Sequence, residues 1–155
     1  MNKKFYAIID TNVIVAALLT KNKLSATVRV LEAFLSGEVV AVAHEKIIDE
    51  YKAVLSREKF NFSKEKIEKV VAAFEQNSVF LSGAVSDEPV SDPKDIVFYE
   101  VSLDAQSHFD DSYLVTGNIK DFPVKPFIVT PSQFLDILLE NSGFTVNEPL
   151  ARYSA

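Results

Sequence analysis

Short apolar runs alternate along this chain with longer stretches whose apolar residues recur at helical spacing. The runs indicate buried strands at residues 5–9, 39–43, 79–81, 113–116 and 127–129. The helical stretches are 13–19, a segment from the cap Ser25 to Ser36, 45–57, a segment opened by Ser63, 95–106 and 131–139. Because parallel strands need helical crossovers, the alternation predicts an α/β fold, a three-layer α/β/α sandwich with a mainly parallel central sheet.

The length and composition predict one globular domain. The 155 residues are 48% hydrophobic and 25% charged, and we expect one domain over residues 1–140 with a C-terminal tail over 141–155, irregular or an added strand. The first apolar run is too short for a signal peptide or a membrane span, so we expect a cytoplasmic protein without a membrane partner. The chain has no cysteine, which excludes disulfides, thiolate zinc sites and a cysteine nucleophile.

The charge balance restricts how the chain can bind nucleic acid. Sixteen Lys and Arg against 22 Asp and Glu give a formal net charge of −6. This balance disfavours binding by neutralisation of phosphates alone. It allows an enzyme whose acidic residues hold divalent cations that then meet the phosphate.

Polar residues follow three of the predicted strands. Asp10 comes directly after the first strand, Asn118 and Asp121 follow the fourth, and Asp92 and Asp95 lie in the loop after the third. Open α/β sheets bind ligands outside the carboxyl ends of their strands. The topology therefore predicts a carboxylate cluster at one edge of the sheet.

Glu50 is a further member of this cluster by its place on the predicted third helix. At 100° per residue it projects at the border of the apolar stripe, whereas Asp49 points to solvent. A Glu that extends to solvent or meets a lysine explains the position equally well. Neither His44 nor His108 is expected near the strand ends; we expect a helix N-terminus for the first and the surface for the second.

Crowded carboxylates without histidine favour a hard cation. Mg²⁺ and Mn²⁺ take carboxylate and water oxygens, and acids placed together repel unless a cation neutralises them. A metal held in this way can activate water and, with a second metal, stabilise both the attacking and the leaving oxygen in phosphodiester hydrolysis.

Four segments of the chain, in this order, resemble the motifs of PIN-domain proteins. They are Ile-Ile-Asp-Thr-Asn-Val at 8–13, a Glu before a Val-Leu pair at 48–55, Ser-Asp-Pro-Lys-Asp at 91–95 and Tyr-Leu-Val-Thr-Gly-Asn at 113–118. With the closing segment 127–134, the resemblance covers about residues 5–140. It implies a metal-dependent ribonuclease fold that binds Mg²⁺ or Mn²⁺, and single-domain bacterial members are commonly toxins of toxin–antitoxin pairs (VapC-like).

The resemblance also implies the site residues. Asp10, Glu50 and Asp95 fall on the first three acidic positions, so Asp10 and Asp95 would bind metal directly and Glu50 directly or through water. At the fourth position, where many relatives carry Asp, this chain has Asn118. Either Asp121 completes the metal site, or the site binds metal more weakly and holds one ion.

Four residues are expected to support the site. Thr11 or Asn12 would steady Asp10 through hydrogen bonds, although helix capping explains both equally well. Asp92 is a second candidate ligand and equally a turn residue before Pro93. Thr116, at the end of the fourth strand, is the remaining supporting residue.

The leading hypothesis is a metal-dependent endoribonuclease, with RNA as substrate and an antitoxin protein and self-association as further expected partners. The alternative is a catalytically weak or inactive PIN-like module that binds RNA or protein. A phosphatase of the haloacid-dehalogenase type ranks low, because Asn12 stands where its general acid would be. Basic residues that could border an RNA groove, or equally be solvated side chains, are Lys21, Lys23, Arg29, Lys59, Lys64, Lys66 and Lys69.

Overall fold

The computed structural model describes residues 3–141. The expected tail therefore lies outside the described residues, apart from Asn141, which ends the last helix. No helix within residues 3–141 is long and apolar enough to cross a membrane.

The helices and strands follow the predicted order. They are β1 (Phe5–Ile9), α1 (Thr11–Leu19), α2 (Ala26–Leu35), β2 (Val39–Ala43), α3 (Glu45–Leu55), α4 (Lys64–Asn77), β3 (Val79–Phe80), α5 (Ile96–His108), β4 (Ser112–Val115), β5 (Ile128–Val129) and α6 (Pro131–Asn141). Single 3₁₀ turns occupy Glu58–Phe60, Pro93–Asp95 and Ile119–Asp121. Asp95 thus precedes α5 instead of opening it, and the other predicted ends are displaced by one or two residues, the usual scatter of helix and strand ends.

All five strands are parallel and lie in the order β3-β2-β1-β4-β5. The chain begins in the middle of the sheet, moves outward to β3, and then crosses back to β4 on the other side of β1. The connection after β1 therefore leads to β2 on one side, and the connection after β4 leads to β5 on the other side. This divergence between β1 and β4 is where open α/β sheets form a ligand crevice.

Side-chain alternation in β4 shows that helices cover both faces of the sheet. Ser112 accepts a hydrogen bond from Gln106 of α5, with Nε2 of Gln106 2.7 Å from the carbonyl oxygen of Ser112 and 2.8 Å from its hydroxyl. The ring of the next residue, Tyr113, packs 5.7 Å from the ring of Phe134 in α6. Because successive strand residues point to opposite faces, α5 and α6 lie on opposite sides. The predicted three-layer α/β/α sandwich is confirmed.

The segment from residue 81 to 92 has no helix or strand, yet it is tied to α5. Its contacts reach progressively earlier residues of that helix, so it runs antiparallel to α5 and toward the helix N-terminus. The hydrogen bonds are Gly83 N to Asp104 Oδ2 (3.0 Å), Ala84 N to the Glu100 carbonyl (2.9 Å) and Tyr99 Oη to Glu88 Oε1 (2.5 Å). The path of this segment thereby places the turn Pro93–Asp95 at the carboxyl edge of the sheet.

The Glu88 contact predicts a pH-dependent contribution to stability. The Tyr99 hydroxyl and then the Lys125 ammonium, 3.0 Å away, lower the pKa of Glu88 below its ordinary value of 4.5. A carboxyl whose folded pKa is lowered stabilises the fold above its unfolded pKa and loses that contribution as the pH falls. Tyr99→Phe should therefore lower the Tm at pH 7, and the difference should shrink on acidification.

The matched control is Tyr113→Phe, because the Tyr113 hydroxyl forms no hydrogen bond within the described part of the chain. Thermal unfolding followed by circular dichroism between pH 7 and pH 3 makes the measurement. A Tm difference for Tyr99→Phe that does not change with pH would contradict the assignment.

Candidate active site

Asp10 is a buried carboxylate between the ends of β1 and β4. It is 6% exposed, and its Oδ2 accepts hydrogen bonds from the Thr116 hydroxyl at 2.7 Å and from the Asn12 side-chain amide at 3.4 Å. Burial raises the pKa of Asp10; the Thr116 hydroxyl and the backbone N–H groups of Thr11 and Asn12 oppose the rise, and the charge of Glu50 adds to it. The carboxylate is thus held in one orientation despite the cost of its burial.

Of the four expected supporting residues, two donate side-chain hydrogen bonds to Asp10, whereas Thr11 and Asp92 do not within residues 3–141. Thr116 and Asn12 do so directly, and Asn12 Oδ1 also accepts from the backbone N–H of Gly117 at 3.1 Å. The Thr11 hydroxyl is buried without a hydrogen-bond partner within residues 3–141. Thr11 acts on Asp10 only through its backbone.

Glu50 is brought to this edge by a contact that the sequence pattern does not reveal. The hydroxyl of its neighbour Tyr51 donates to the carbonyl oxygen of Ile9 at 2.5 Å, which ties α3 to the end of β1. Glu50 is partly buried and Asp49 is exposed, as the helical wheel predicts. Glu50 forms no ion pair with any residue from 3 to 141, so the lysine-paired alternative does not apply. The sequence does not predict this role of Tyr51, because its position fits the apolar stripe of α3.

Asp92, Asp95 and Asp121 are brought together by the backbone. The N–H of Asp95 donates to the carbonyl of Asp92 at 2.8 Å, and the N–H of Ser91 donates to the carbonyl of Asp121 at 3.1 Å. The Asp92 carboxylate accepts from the backbone N–H of Lys94 at 2.9 Å, so it acts as a turn residue. Asp121 is partly buried and Asp92 is exposed.

The pKa of Asp95 shows that these acids share one electrostatic environment. It rises from 3.8 to about 7, first because of burial and then because of the charges of Asp10, Asp92, Asp121 and Glu50. The five carboxylates come from four separate parts of the chain, and the fold places them near one another. A cluster with this much uncompensated negative charge attracts a cation.

The donor chemistry fits a hard divalent cation, because every charged donor is a carboxylate. In the side-chain arrangement recorded for residues 3–141, no three acidic or histidine side chains converge closely enough to hold one ion. Asn118 is exposed, its backbone N–H donates to the Thr116 hydroxyl at 3.0 Å, and its side-chain amide forms no hydrogen bond in the described range. Its amide oxygen is therefore available as a neutral ligand.

The expectation for one histidine is wrong. His44 does begin a helix, as the N-cap of α3, but it also follows β2 directly and so lies at the carboxyl edge of the sheet, where it lines a cavity together with Glu50. His108 is exposed at the end of α5, as expected, and contacts Asp104 at 3.1 Å. The sequence does contain the signal for this position, because a residue directly after the predicted strand 39–43 falls at the carboxyl edge of a parallel sheet, as Asp10 does after the first strand.

Comparison with known proteins identifies the family. Residues 6–120 match the family described as PIN domain, from within β1 to the turn Ile119–Asp121, so the match spans every acidic position of the cluster except Asp121. The chain belongs to the PIN domain family. PIN domains are typically metal-dependent nucleases. No curated protein and no solved structure matched this PIN domain.

The charge crowding in this PIN domain predicts that its site costs stability when no metal is present. Because the folded pKa of Asp95 is raised to about 7, stability in EDTA should fall as the pH rises from about 4 to above 7. Asp95→Asn removes this charge at constant shape. We therefore expect its Tm to exceed that of the wild type at pH 8 and the two values to converge near pH 4.

The matched control is Asp49→Asn, an exposed carboxylate one residue from Glu50 on the solvent side of α3. Differential scanning fluorimetry in EDTA and in Mn²⁺ measures both effects. Mn²⁺ should raise the Tm of the wild type and not that of Asp95→Asn, because a ligand that binds only the folded state stabilises it. An Asp95→Asn variant less stable than the wild type at pH 8 in EDTA would contradict the electrostatic account.

Proposed function

We propose that the protein is a Mg²⁺- or Mn²⁺-dependent endoribonuclease that hydrolyses phosphodiester bonds in single-stranded or loop RNA. The observation that supports it is the gathering of Asp10, Glu50, Asp92, Asp95 and Asp121 at the carboxyl edge of the sheet, where burial and then the charges of the other four raise the pKa of Asp95 to about 7. Membership of a family of typically metal-dependent nucleases supports the same conclusion.

Four carboxylates of the cluster and the neighbouring Asn118 have distinct parts in this proposal. Asp10 and Asp95 hold the metal directly, and Glu50 does so directly or through water. Asp121 completes the charge of the site, and Asn118 contributes a neutral amide oxygen. A divalent cation bound there would stabilise charge on the phosphate and activate a water molecule.

The protein's own hydrogen bonds orient these ligands in the absence of metal. Thr116 and Asn12 fix the orientation of Asp10, and their hydrogen bonds, at 2.7 and 3.4 Å, restrict its rotation. Tyr51 fixes α3, and with it Glu50, to the end of β1. Outer partners of this kind orient the ligands that touch a metal, and their loss typically costs about 10–100-fold in metal affinity or activity.

Cleavage of a mixed-sequence single-stranded RNA tests the assignment. Asp10→Asn and Asp95→Asn should each lower metal-dependent cleavage by at least about a hundredfold, because a direct ligand matters more than the outer partners that orient it. Asp49→Asn should cleave like the wild type. The assay compares Mn²⁺, Mg²⁺ and EDTA on a denaturing gel.

Undiminished cleavage by both variants would refute the assignment. No cleavage by the wild type under any condition would favour the non-catalytic binding module, which Asn118 at the fourth acidic position also favours. Calorimetry then separates the two cases. Mn²⁺ binding that strengthens in Asn118→Asp and disappears in Asp95→Asn places a weak metal site here, whereas no saturable binding in any variant identifies the binding module.

We also propose that the protein is the toxin of a toxin–antitoxin pair and that it binds an antitoxin protein and self-associates. This rests on the resemblance of the chain to single-domain VapC-like proteins. Induced expression should arrest growth, and expression of Asp95→Asn at the same level should not. Co-expression of an adjacent small gene should relieve the arrest, whereas arrest by both proteins would contradict the toxin role.

A further inference from the structure

A cavity of about 370 Å³ adjoins the acidic cluster. Its walls are the beginnings of α3 and α5, the turn Pro93–Asp95 and the beginning of the segment that runs along α5. The lining side chains that matter here are His44, Lys46, Glu50, Lys94, Ile96 and Glu100. Its volume lies in the range of about 300–1,000 Å³ of small-ligand sites, and Glu50 is common to the cavity and the acidic cluster.

The two lysines of this cavity share it with the carboxylates of Glu50 and Glu100 but form no ion pair with either. The lysines of residues 3–141 that form ion pairs are Lys52, Lys64, Lys69 and Lys125. Lys46 and Lys94 form none in that range. The backbone N–H of Lys94 is bonded to Asp92, which fixes where its side chain starts. Two unpaired ammonium groups therefore border one cavity.

The cavity also contains two carboxylates: Glu50 is the one shared with the acidic cluster, and Glu100 already accepts a hydrogen bond. Glu100 accepts from the backbone N–H of Ser86 at 3.2 Å through Oε2. His44 Nδ1 accepts from the backbone N–H of Lys46 at 2.9 Å. An accepting Nδ1 leaves the proton of a neutral imidazole on Nε2, so His44 offers a hydrogen-bond donor.

We propose that this cavity binds the phosphate of a nucleotide next to the scissile bond. This inference rests on the proposed function, because it takes RNA as the substrate of the adjacent acidic cluster. Lys46 and Lys94 provide the charge, His44 Nε2 donates a hydrogen bond, and Ile96, 39% exposed, provides an apolar surface for the sugar or base. The cavity explains how a chain of net charge −6 holds RNA beside its own carboxylates.

The competing explanation is that the two lysines only screen the acidic cluster. Under that explanation their removal changes Mn²⁺ affinity and leaves the phosphate contacts of the RNA unchanged. The experiment must therefore measure contacts to individual phosphates and must not depend on cleavage.

Fluorescence anisotropy with a short labelled single-stranded RNA in EDTA makes this measurement on Lys46→Gln, Lys94→Gln and the double variant. Each phosphate contact to single-stranded nucleic acid contributes about −0.7 to the slope of log affinity against log salt concentration. We expect each substitution to weaken binding and reduce the slope by about 0.7. Lys4→Gln is the matched control, since Lys4 is exposed and precedes β1, at the opposite edge of the sheet.

A neutral methylphosphonate placed at one linkage at a time locates the contact. In the wild type, one position flanking the cleavage site should lose affinity, and the double variant should lose nothing further there, because coupled groups are non-additive. The proposal would be overturned by an unchanged salt slope. It would also be overturned if the losses of affinity from the lysine substitutions and from the methylphosphonate were additive at every linkage.

The outcomes separate the two proposals. Coupling between the lysine substitutions and a methylphosphonate at one linkage, without any cleavage in Mn²⁺ or Mg²⁺, would reject the nuclease and keep the phosphate site. Metal-dependent cleavage without coupling to Lys46 or Lys94 would reject the phosphate site and keep the nuclease. A changed Mn²⁺ affinity with an unchanged salt slope identifies the lysines as screening groups only and also overturns the phosphate site.

Discussion

The buried hydrogen bond between Thr116 and Asp10 is the contact on which the site depends. It joins residues that are more than a hundred positions apart in sequence, and it exists because β1 and β4 are neighbours in register, with Ile9 opposite Val115. The backbone N–H of Asp10 donates to the carbonyl of Val115 at 2.9 Å and fixes the same register. A shift of one residue would turn Thr116 to the other face of the sheet. The pairing of β1 with β4 therefore determines both the order of the sheet and the geometry of the site.

Around this contact the fold accumulates negative charge that it does not neutralise. Burial, and then the charge of Glu50, raises the pKa of the buried Asp10. Burial, and then the charges of Asp10, Asp92, Asp121 and Glu50, raises the pKa of the partly buried Asp95. This arrangement lowers the stability of the fold when no cation is bound, because burial of unpaired charge is unfavourable. A cation that binds the folded state restores that stability. A structural role does not require this cost, whereas ligand binding does, which is why strained or crowded groups are found at functional sites.

Local patterns predicted most of the fold, and topology predicted the positions of the acids. The periodicity of the helices and strands is strong, and Asp10, Asn118 and Glu50 follow from strand ends and one helical wheel. Contacts between distant elements were not predictable in this way. The Tyr51 hydroxyl is hidden in an apolar stripe, and the pair of Tyr99 and Glu88 depends on the path of a segment without regular structure. Which elements are adjacent in space decides these contacts, and a single sequence does not contain that information in its periodicity.

The separation of charge within one edge of the sheet bears on how RNA would be selected. A uniform basic groove binds any polyanion and depends steeply on salt. Here the carboxylates of the cluster repel phosphate unless a cation lies between them, and the unpaired Lys46 and Lys94 attract it directly in the next cavity. Under the proposed function, an RNA strand would have to satisfy both environments at once, so cleavage would require a divalent cation and a particular path of the RNA backbone. An acidic protein can thus act on RNA with few basic residues, because geometry supplies the discrimination that net charge does not.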